Sequence, residues 1–264
     1  MKLGLSSAAF YGRMETEEAA AHLRDFPIEV CEIFLESFSE YCRAFGEVAA
    51  AELGPVKCVS VHAKGTQFEP DLFSCSRRQQ EDAMGIFSGI CDSGQALGAK
   101  YYVLHGPGNA RNAVPPESIH DLQGRFARMG SIARERGIEV LWENVSWCSL
   151  RTPAEVRRAG ELLPGLGYVL DVKQAFRAGC EPMDMLQAMG GNVRHVHALD
   201  WTAEGKLCLP GQGVTDWPGL LRALRESGYD GAIILEPYSW QAMDEDALRR
   251  SLDYLRGCME ACHV

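Results

Sequence analysis

The stretch GIEVLWE (137–143) runs from a glycine through an apolar segment to a single glutamate. Three later stretches follow a similar plan: GYVLD (167–171), VRHVHA (193–198) and AIILE (232–236). A short apolar run bounded by turn residues is typical of a buried β-strand. An ionisable side chain at the end of such a strand is costly to bury unless another group compensates it. The compensating group is therefore the first thing to look for.

The ionisable residues at these four strand ends form a set of one kind: Glu143, Asp171, His197 and Glu236. Three carboxylates that converge on one point repel each other unless a cation lies between them. Three oxygen donors and one nitrogen donor suit a hard or borderline divalent ion such as Mn²⁺, Co²⁺, Mg²⁺ or Zn²⁺. The sequence therefore predicts a site for one divalent metal ion.

Strand-like runs alternate with helical patterns along the whole chain. The eight runs with strand character are Lys2–Ser6, Glu29–Leu35, Val56–Val61, Lys100–Leu104, Gly137–Trp142, Gly167–Leu170, Val193–Ala198 and Ala232–Leu235. Apolar residues at three- and four-residue spacing predict helices over Thr16–Arg24, Phe38–Leu53, Arg77–Leu97, Pro116–Arg136, Pro153–Leu162, Pro182–Gly190, Asp216–Ser227 and Ala242–Cys262. Strands that are apolar throughout are typical of a parallel sheet covered on both faces.

Eight strands that are each followed by a helix predict an α/β protein with a single (β/α)8 TIM barrel, as one domain over residues 1–264. An open doubly wound sheet is the main rival, but no GxGxxG follows the first strand. In the barrel, the strand ends meet at one mouth. His62 and His105 follow the third and fourth strands and should face this mouth, and Glu32 or Glu36 should reach it from the second strand.

Charge and hydropathy exclude two classes of function. The net charge is −10, whereas a nucleic-acid binder normally carries a basic surface. No apolar run approaches the roughly 20 residues that a membrane-spanning helix needs. The cysteines include no CxxC pair, and several lie in apolar patterns where a reduced thiol packs as a small hydrophobe. We expect a cytoplasmic protein that binds neither nucleic acid nor membrane.

Seven fragments, in order, carry a resemblance to a known family: VHAKG (61–65), LHGPG (104–108), WENVSW (142–147), LDVKQA (170–175), HVHALDW (195–201), PGQGVTDW (210–217) and LEPY (235–238). With these fragments the chain resembles the xylose-isomerase-like TIM barrels. That superfamily contains sugar and sugar phosphate isomerases and epimerases such as tagatose epimerase, inosose dehydratase, hydroxypyruvate isomerase and, distantly, endonuclease IV. The resemblance covers the whole chain.

The resemblance implies a metal site and a reaction. In the epimerases a Glu, an Asp, a His and a Glu from the last four strands hold one divalent ion, and these positions fall on Glu143, Asp171, His197 and Glu236. The second histidine of the His-x-His motif is the ligand, which favours His197 over His195. Glu143 and Glu236 would also be the paired acid–base groups that move a proton next to a carbonyl, by way of a metal-bound enediolate.

The chain departs from the family pattern at three places. Gln174 stands where members commonly carry a second histidine, and glutamine cannot shuttle a proton near neutral pH. Gln212 replaces the glutamate of a Gly-Glu-Gly loop. The epimerases have an arginine a few residues after the metal histidine, where this chain has Trp201, Thr202 and Ala203. The Asp-x-His pair of endonuclease IV is also missing, and this argues against DNA repair.

The sequence therefore predicts a metal-dependent sugar or sugar phosphate isomerase or epimerase that acts on a small polyhydroxy ketone or aldehyde. The residues expected to contact substrate are His62, His105, Gln174, Trp147, Lys173 and Trp201. A dehydratase that uses the same site, as in inosose dehydratase, is one alternative. A barrel that binds a sugar or a partner protein without turnover is another. Family members are often oligomers, so a homo-oligomer is possible.

Overall fold

The protein, described here by a computed structural model for residues 1–108, 114–238 and 244–262, is built around a closed barrel of eight parallel strands. Its strands are β1 (Lys2–Ser6), β2 (Val30–Leu35), β3 (Lys57–Ala63), β4 (Tyr101–Leu104), β5 (Glu139–Glu143), β6 (Gly167–Asp171), β7 (Val193–Ala198) and β8 (Ala232–Leu235). Each strand pairs with its neighbours in chain order, and β8 pairs with β1 to close the ring. The predicted (β/α)8 barrel is confirmed.

Side chains alternate between the two faces of each strand, which divides the core in two. The outward residues pack against the helices in one large apolar cluster. The inward residues form two smaller clusters, one around Val30 and Ile234 and one around Val103, Leu141 and Val169. Two residues beyond these inward positions lie Glu32, Glu143, Asp171 and Glu236. The same alternation that fills the barrel with apolar groups therefore points these carboxylates inward near its mouth.

The observed helices are Thr16–His22, Arg43–Glu52, Glu69–Leu72, Arg77–Leu97, Leu122–Arg134, Pro153–Leu162, Val172–Arg177, Pro182–Met189, Trp217–Glu226 and Glu245–Ala261. Two of them, Arg77–Leu97 and Pro153–Leu162, have the predicted bounds. The predicted helix over Pro116–Arg136 begins later because Asp121 has a left-handed backbone, with φ of 51°, and caps the helix by accepting from Gly124 N. Residues 242 and 243 of the last predicted helix lie outside the described residues. None of the helices seen here is both long and apolar enough to cross a lipid bilayer.

Three strands extend further toward the mouth than their apolar runs suggest. β3 continues through His62 to Ala63, β5 includes Glu143 and β6 includes Asp171. The parallel ladder pairs Glu143 with Val169 and Asp171 with His197. Apolarity therefore marked these ends one or two residues early, because backbone pairing continues across the polar residues. As a result, sheet hydrogen bonds fix the backbone of the residues that carry these ionisable side chains.

The inward face of β1 predicts a sharp difference between two glycine substitutions. A Cβ at Gly4 would lie 2.5 Å from Val30 O, whereas a Cβ at Gly85 in the long helix would meet nothing within 4 Å. We expect Gly4→Ala to lower the free energy of unfolding by about 1–3 kcal/mol through overpacking. Gly85→Ala should raise it by about 0.5–1 kcal/mol through helix propensity. Urea unfolding measures both, and equal effects would contradict the packing described for the barrel interior.

Candidate metal centre

Four side chains from β5, β6, β7 and the residue after β8 converge at the mouth of the barrel. Glu143, Asp171, His197 and Glu236 each offer a ligand atom, and these atoms all lie within 4.8 Å of one another. The four residues are between 0% and 7% exposed. Successive strands of the ring thus deliver successive members of the cluster, as the sequence predicted for their positions.

The His197 ring has carboxylates on both sides. Its Nδ1 atom lies 2.8 Å from Glu143 Oε1, 3.4 Å from Glu236 Oε2 and 3.9 Å from Asp171 Oδ2. Burial opposes a charge on this imidazole, but the surrounding carboxylates outweigh burial and raise its pKa well above the usual value. His195 lies one layer deeper, where its Nε2 atom contacts Glu32 at 3.2 Å. The structure therefore places His197 among the three carboxylates.

The two oxygens of Asp171 have different surroundings. Oδ1 accepts a hydrogen bond of 2.8 Å from Gln174 N and so caps the short helix that follows β6. Oδ2 is buried and accepts no hydrogen bond from the described residues, although Lys173 Nζ lies 3.2 Å away. Burial, reinforced by Glu143 and Glu236, raises the pKa of this carboxyl to about 7. One buried oxygen is therefore left for a further partner.

Lys173 brings a fixed positive charge into the cluster. Its Nζ atom donates to Glu236 Oε2 at 2.8 Å and lies 4.9 Å from the centre of the Tyr238 ring. Burial opposes the charge, yet Asp171 and Glu236 hold the pKa of this lysine well above its usual value. Burial also works against ionisation of Glu236, but His197 and Lys173 keep the pKa of that carboxyl far below its ordinary range.

His62 and His105 connect the two glutamates of the cluster. Their Nε2 atoms lie 3.0 Å apart. His105 Nε2 is 3.6 Å from Glu143 Oε2, and His62 Nδ1 is 3.4 Å from Glu236 Oε1. A continuous series of polar contacts thus runs from one glutamate to the other. The prediction that both histidines face the mouth matches their observed positions.

Glu69 is a functional candidate that no sequence pattern indicated. It lies on the short helix Glu69–Leu72, where it accepts from Tyr102 Oη at 2.6 Å and from His105 N at 3.0 Å. Its Oε2 atom is also 3.3 Å from His105 Nδ1. Burial lowers the pKa of His105, but Glu69 and Glu143 outweigh it and raise the pKa to about 9. No strand-end pattern could reveal Glu69, because it follows β3 by several residues.

The other predicted substrate contacts lie around this cluster. Gln174 Oε1 accepts from Ser146 Oγ at 2.8 Å, so the oxygen of that side chain is engaged with a loop. The Trp147 ring lies 5.4 Å from the His105 ring. Trp201 Nε1 donates to Lys173 O at 3.1 Å. All three residues border the candidate centre, and their contact with a substrate stays a prediction.

Of the two glutamates proposed on β2, only one enters the cluster. Glu32 is 0% exposed and lies 3.1 Å from His197 Nε2 through its Oε2 atom. Glu36 is half-buried beyond the strand, where its backbone N–H donates to Glu40. Burial, together with Glu40, raises the pKa of Glu36 to about 7. Glu32 is therefore the β2 residue that reaches the site.

The donor set fits a divalent cation. Three carboxylates and one imidazole nitrogen within 4.8 Å match the ligand types that Mn²⁺, Co²⁺ and Zn²⁺ take in proteins. Asp171 Oδ2 gives a second reason, because this buried oxygen accepts no hydrogen bond from the described residues and has only the ammonium of Lys173 beside it, at 3.2 Å. Glu143, Asp171, His197 and Glu236 are the residues that would hold the ion.

The fold and the cluster together define a class: a (β/α)8 barrel with an acidic, histidine-containing centre at the carboxyl ends of its strands. Residues 20–258 match the model of the xylose isomerase-like TIM barrel family. The chain belongs to this family.

The known proteins similar to this chain include two enzymes and a zinc-bound protein. Inosose dehydratase of Lacticaseibacillus casei is 23% identical over 173 residues, which are 53% of this chain and 58% of that protein. The match thus spans less than two thirds of this relative. D-psicose 3-epimerase of Clostridium cellulolyticum H10 superposes with a TM-score of 0.75 at 15% identity, covering 98% of this chain and 99% of the other. The zinc-bound IOLI protein gives a TM-score of 0.74 at 18% identity, with coverages of 99% and 98%. At this identity the two structures support the fold.

The raised pKa of Asp171 predicts how metal binding depends on pH. Below about 7 this carboxyl holds a proton that must leave before the oxygen can bind a cation. Affinity should therefore rise with pH through about 7, by about tenfold per pH unit for each proton released. It should keep rising above about 7, because His197, whose pKa lies well above its usual value, must also lose a proton to bind the ion. Isothermal titration with Mn²⁺ or Zn²⁺ from pH 5.5 to pH 8 measures the slope. An affinity that is flat across this range would contradict the protonation state assigned to Asp171.

Proposed function

We propose that this protein is a sugar or sugar phosphate isomerase or epimerase that depends on one divalent metal ion. Its reaction would be a proton transfer next to the carbonyl of a small polyhydroxy ketone or aldehyde. The ion would be Mn²⁺, Co²⁺, Mg²⁺ or Zn²⁺, held by Glu143, Asp171, His197 and Glu236. When bound, such an ion supplies positive charge that polarises a carbonyl and stabilises the negative charge that develops on its oxygen.

One observation carries this proposal: four strands in sequence place an oxygen or nitrogen donor within 4.8 Å of the other three. A buried group of three carboxylates is electrostatically unfavourable without a cation. Membership of a family whose relatives include enzymes acting on sugars and inososes supports the reading as an enzyme. Catalytic barrels of this kind place their reacting groups at the carboxyl ends of the strands, where this cluster lies.

Glu143 and Glu236 are suited to paired proton transfer. Both are buried and both are held ionised, since the pKa of each lies below the usual value despite burial. They belong to β5 and to the residue after β8, so they approach the centre from separate strands. One carboxylate would take the proton from the carbon next to the carbonyl, and the other would return a proton. General acid–base groups contribute in this way when they lie within hydrogen-bond reach of the substrate.

The histidine pair gives the proton a path between the two glutamates. The contacts from Glu143 Oε2 through His105 and His62 to Glu236 Oε1 are 3.6, 3.0 and 3.4 Å long. Of these contacts only the central one, between the two rings, is a hydrogen bond, so a proton would pass between the glutamates once the two outer contacts shorten. Gln174 cannot relay a proton, because a side-chain amide does not take up or release one near neutral pH. The His62–His105 pair would take this role instead.

Lys173 would bind and orient the substrate. Its buried ammonium lies beside two of the proposed ligands, at 2.8 Å from Glu236 and 3.2 Å from Asp171. An ammonium at this position can donate to a hydroxyl or carbonyl oxygen that approaches the centre. Trp147 and Trp201 would form the apolar wall against which a sugar ring packs. A homo-oligomer and a cytoplasmic location both stay predictions.

A dehydratase is the second candidate, and a specific observation favours it. The curated relative from Lacticaseibacillus casei is an inosose dehydratase. The same acid–base pair would take a proton next to a carbonyl and then protonate a departing β-hydroxyl group. Isomerisation in deuterated water gives a product with solvent deuterium at carbon and no loss of water. Dehydration gives a product lighter by one water, so mass spectrometry separates the two reactions.

The assignment predicts the effect of two isosteric substitutions. We expect Glu143→Gln and Glu236→Gln each to lower kcat by about 10²–10⁴-fold, because neither amide can accept the substrate proton. The assay is a panel of aldoses, ketoses and inososes after chelation and reloading with Mn²⁺, Co²⁺ or Mg²⁺. Glu139→Gln is the matched control, since Glu139 lies at the opposite, exposed end of the same strand.

Retained turnover in both variants would refute the acid–base assignment. A wild-type protein that takes up no divalent ion in stoichiometric amount would instead favour the non-catalytic reading, a barrel that binds a sugar or a partner. These two results are independent, because metal content is measured without substrate.

A further inference from the structure

A second carboxylate layer lies directly beneath the candidate metal centre. Glu32 is the deepest acidic residue there, and its Oε2 atom lies 2.8 Å from Ser60 Oγ, 3.1 Å from His197 Nε2 and 3.2 Å from His195 Nε2. Its Oε1 atom accepts from Ser6 Oγ at 3.3 Å. A buried glutamate with this many partners is fixed in position, and the mechanism above gives it no role.

The two nitrogens of His197 face opposite carboxylate groups. Nδ1 faces Glu143 at 2.8 Å and Glu236 at 3.4 Å, whereas Nε2 faces Glu32 at 3.1 Å. An ionised carboxylate only accepts hydrogen bonds, so both nitrogens can donate while the ring is charged. An ion bound among Glu143, Asp171 and Glu236 would replace the hydrogen on Nδ1, and the remaining hydrogen would then lie on Nε2, where Glu32 accepts it.

We propose that Glu32 is the positioning residue of the metal centre, which holds His197 in the Nε2–H tautomer and so presents Nδ1 to the ion. This inference rests on the proposed function only in that His197 is a ligand. A carboxylate behind a ligating histidine orients the ring and increases its basicity. Two ring contacts support the same orientation: His195 lies edge-on at 5.1 Å and His62 is stacked at 6.0 Å.

The barrel register explains why Glu32 can do this. Ser6 and Ser60 are the residues that pair with Glu32 on β1 and β3, so the three side chains lie at one level of the ring. Their hydroxyls donate to the two carboxylate oxygens from either side. Both oxygens of Glu32 are therefore held by neighbouring strands, and Oε2 is directed at the far wall, where β7 carries His197.

The test compares Glu32→Gln with Glu40→Gln. Glu40 is also a buried glutamate with several hydrogen bonds, but it holds a loop after β2 and contacts none of the four proposed ligands. We expect Glu32→Gln to weaken Zn²⁺ and Co²⁺ binding by about 10–100-fold with the stoichiometry unchanged. Glu40→Gln should leave the affinity at the wild-type value. Competition with a chromophoric chelator measures the affinity, and urea unfolding of the metal-free proteins reports separately on the fold.

A second readout follows the hydrogen bond from His197 Nε2–H to Glu32. Long-range ¹H–¹⁵N spectra of histidine-labelled, Zn²⁺-loaded protein should show a slowly exchanging Nε2–H of His197 in the wild type. This proton should exchange faster in Glu32→Gln, because an amide oxygen is a weaker acceptor than a carboxylate. If Glu32→Gln does not fold, Ser60→Ala replaces it. That variant keeps Glu32 but removes the 2.8 Å hydrogen bond, and it should lose less affinity.

Three outcomes would overturn the inference: unchanged affinity in Glu32→Gln, the same Nε2–H exchange rate in both proteins, or complete loss of the ion. The last result would make Glu32 a ligand. If the wild type binds no ion at all, the proposed function fails.

Discussion

Repulsion among buried carboxylates at the barrel mouth is the constraint on which the site depends. Three acidic groups lie within 4.8 Å of a single histidine, and a fourth, Glu32, lies directly beneath it. The protein offsets part of this repulsion with its own cations, since Lys173 and His197 both hold their charge despite burial. One buried oxygen, on Asp171, still lacks a hydrogen bond from the described residues. A divalent ion would supply the remaining positive charge.

The barrel makes such a cluster possible because its strands are fixed in register. A loop could not hold four acidic side chains together against their mutual repulsion, but sheet hydrogen bonds can. The contacts are also layered. Ser6, Glu32 and Ser60 share one level, and the four proposed ligands lie above them. The deeper layer has one carboxylate, Glu32, which contacts Ser6, Ser60 and His195, whereas the upper layer has three carboxylates.

The sequence alone predicted the barrel and the convergence of the four strand-end residues, because both depend on periodicity and chain order. The predicted strands ended before His62, Glu143 and Asp171, because the apolar run ends there while the backbone pairing of the strand continues. Contacts that depend on side-chain direction could not be predicted from the sequence. Examples are the contact of Glu69 with His105 and that of Lys173 with Glu236. That one domain covers residues 1–264 stays a prediction.

Asp171 performs two tasks with its two oxygens. Oδ1 starts the helix Val172–Arg177, and Oδ2 points into the candidate centre. The helix carries Lys173 and Gln174, so the residue that would hold the ion also sets the orientation of two side chains expected to touch the substrate. An ion that draws Oδ2 toward it would also displace Oδ1, which caps the first turn of this helix. Binding of an ion and binding of a sugar at neighbouring points would then be coupled through Asp171 without movement of a loop.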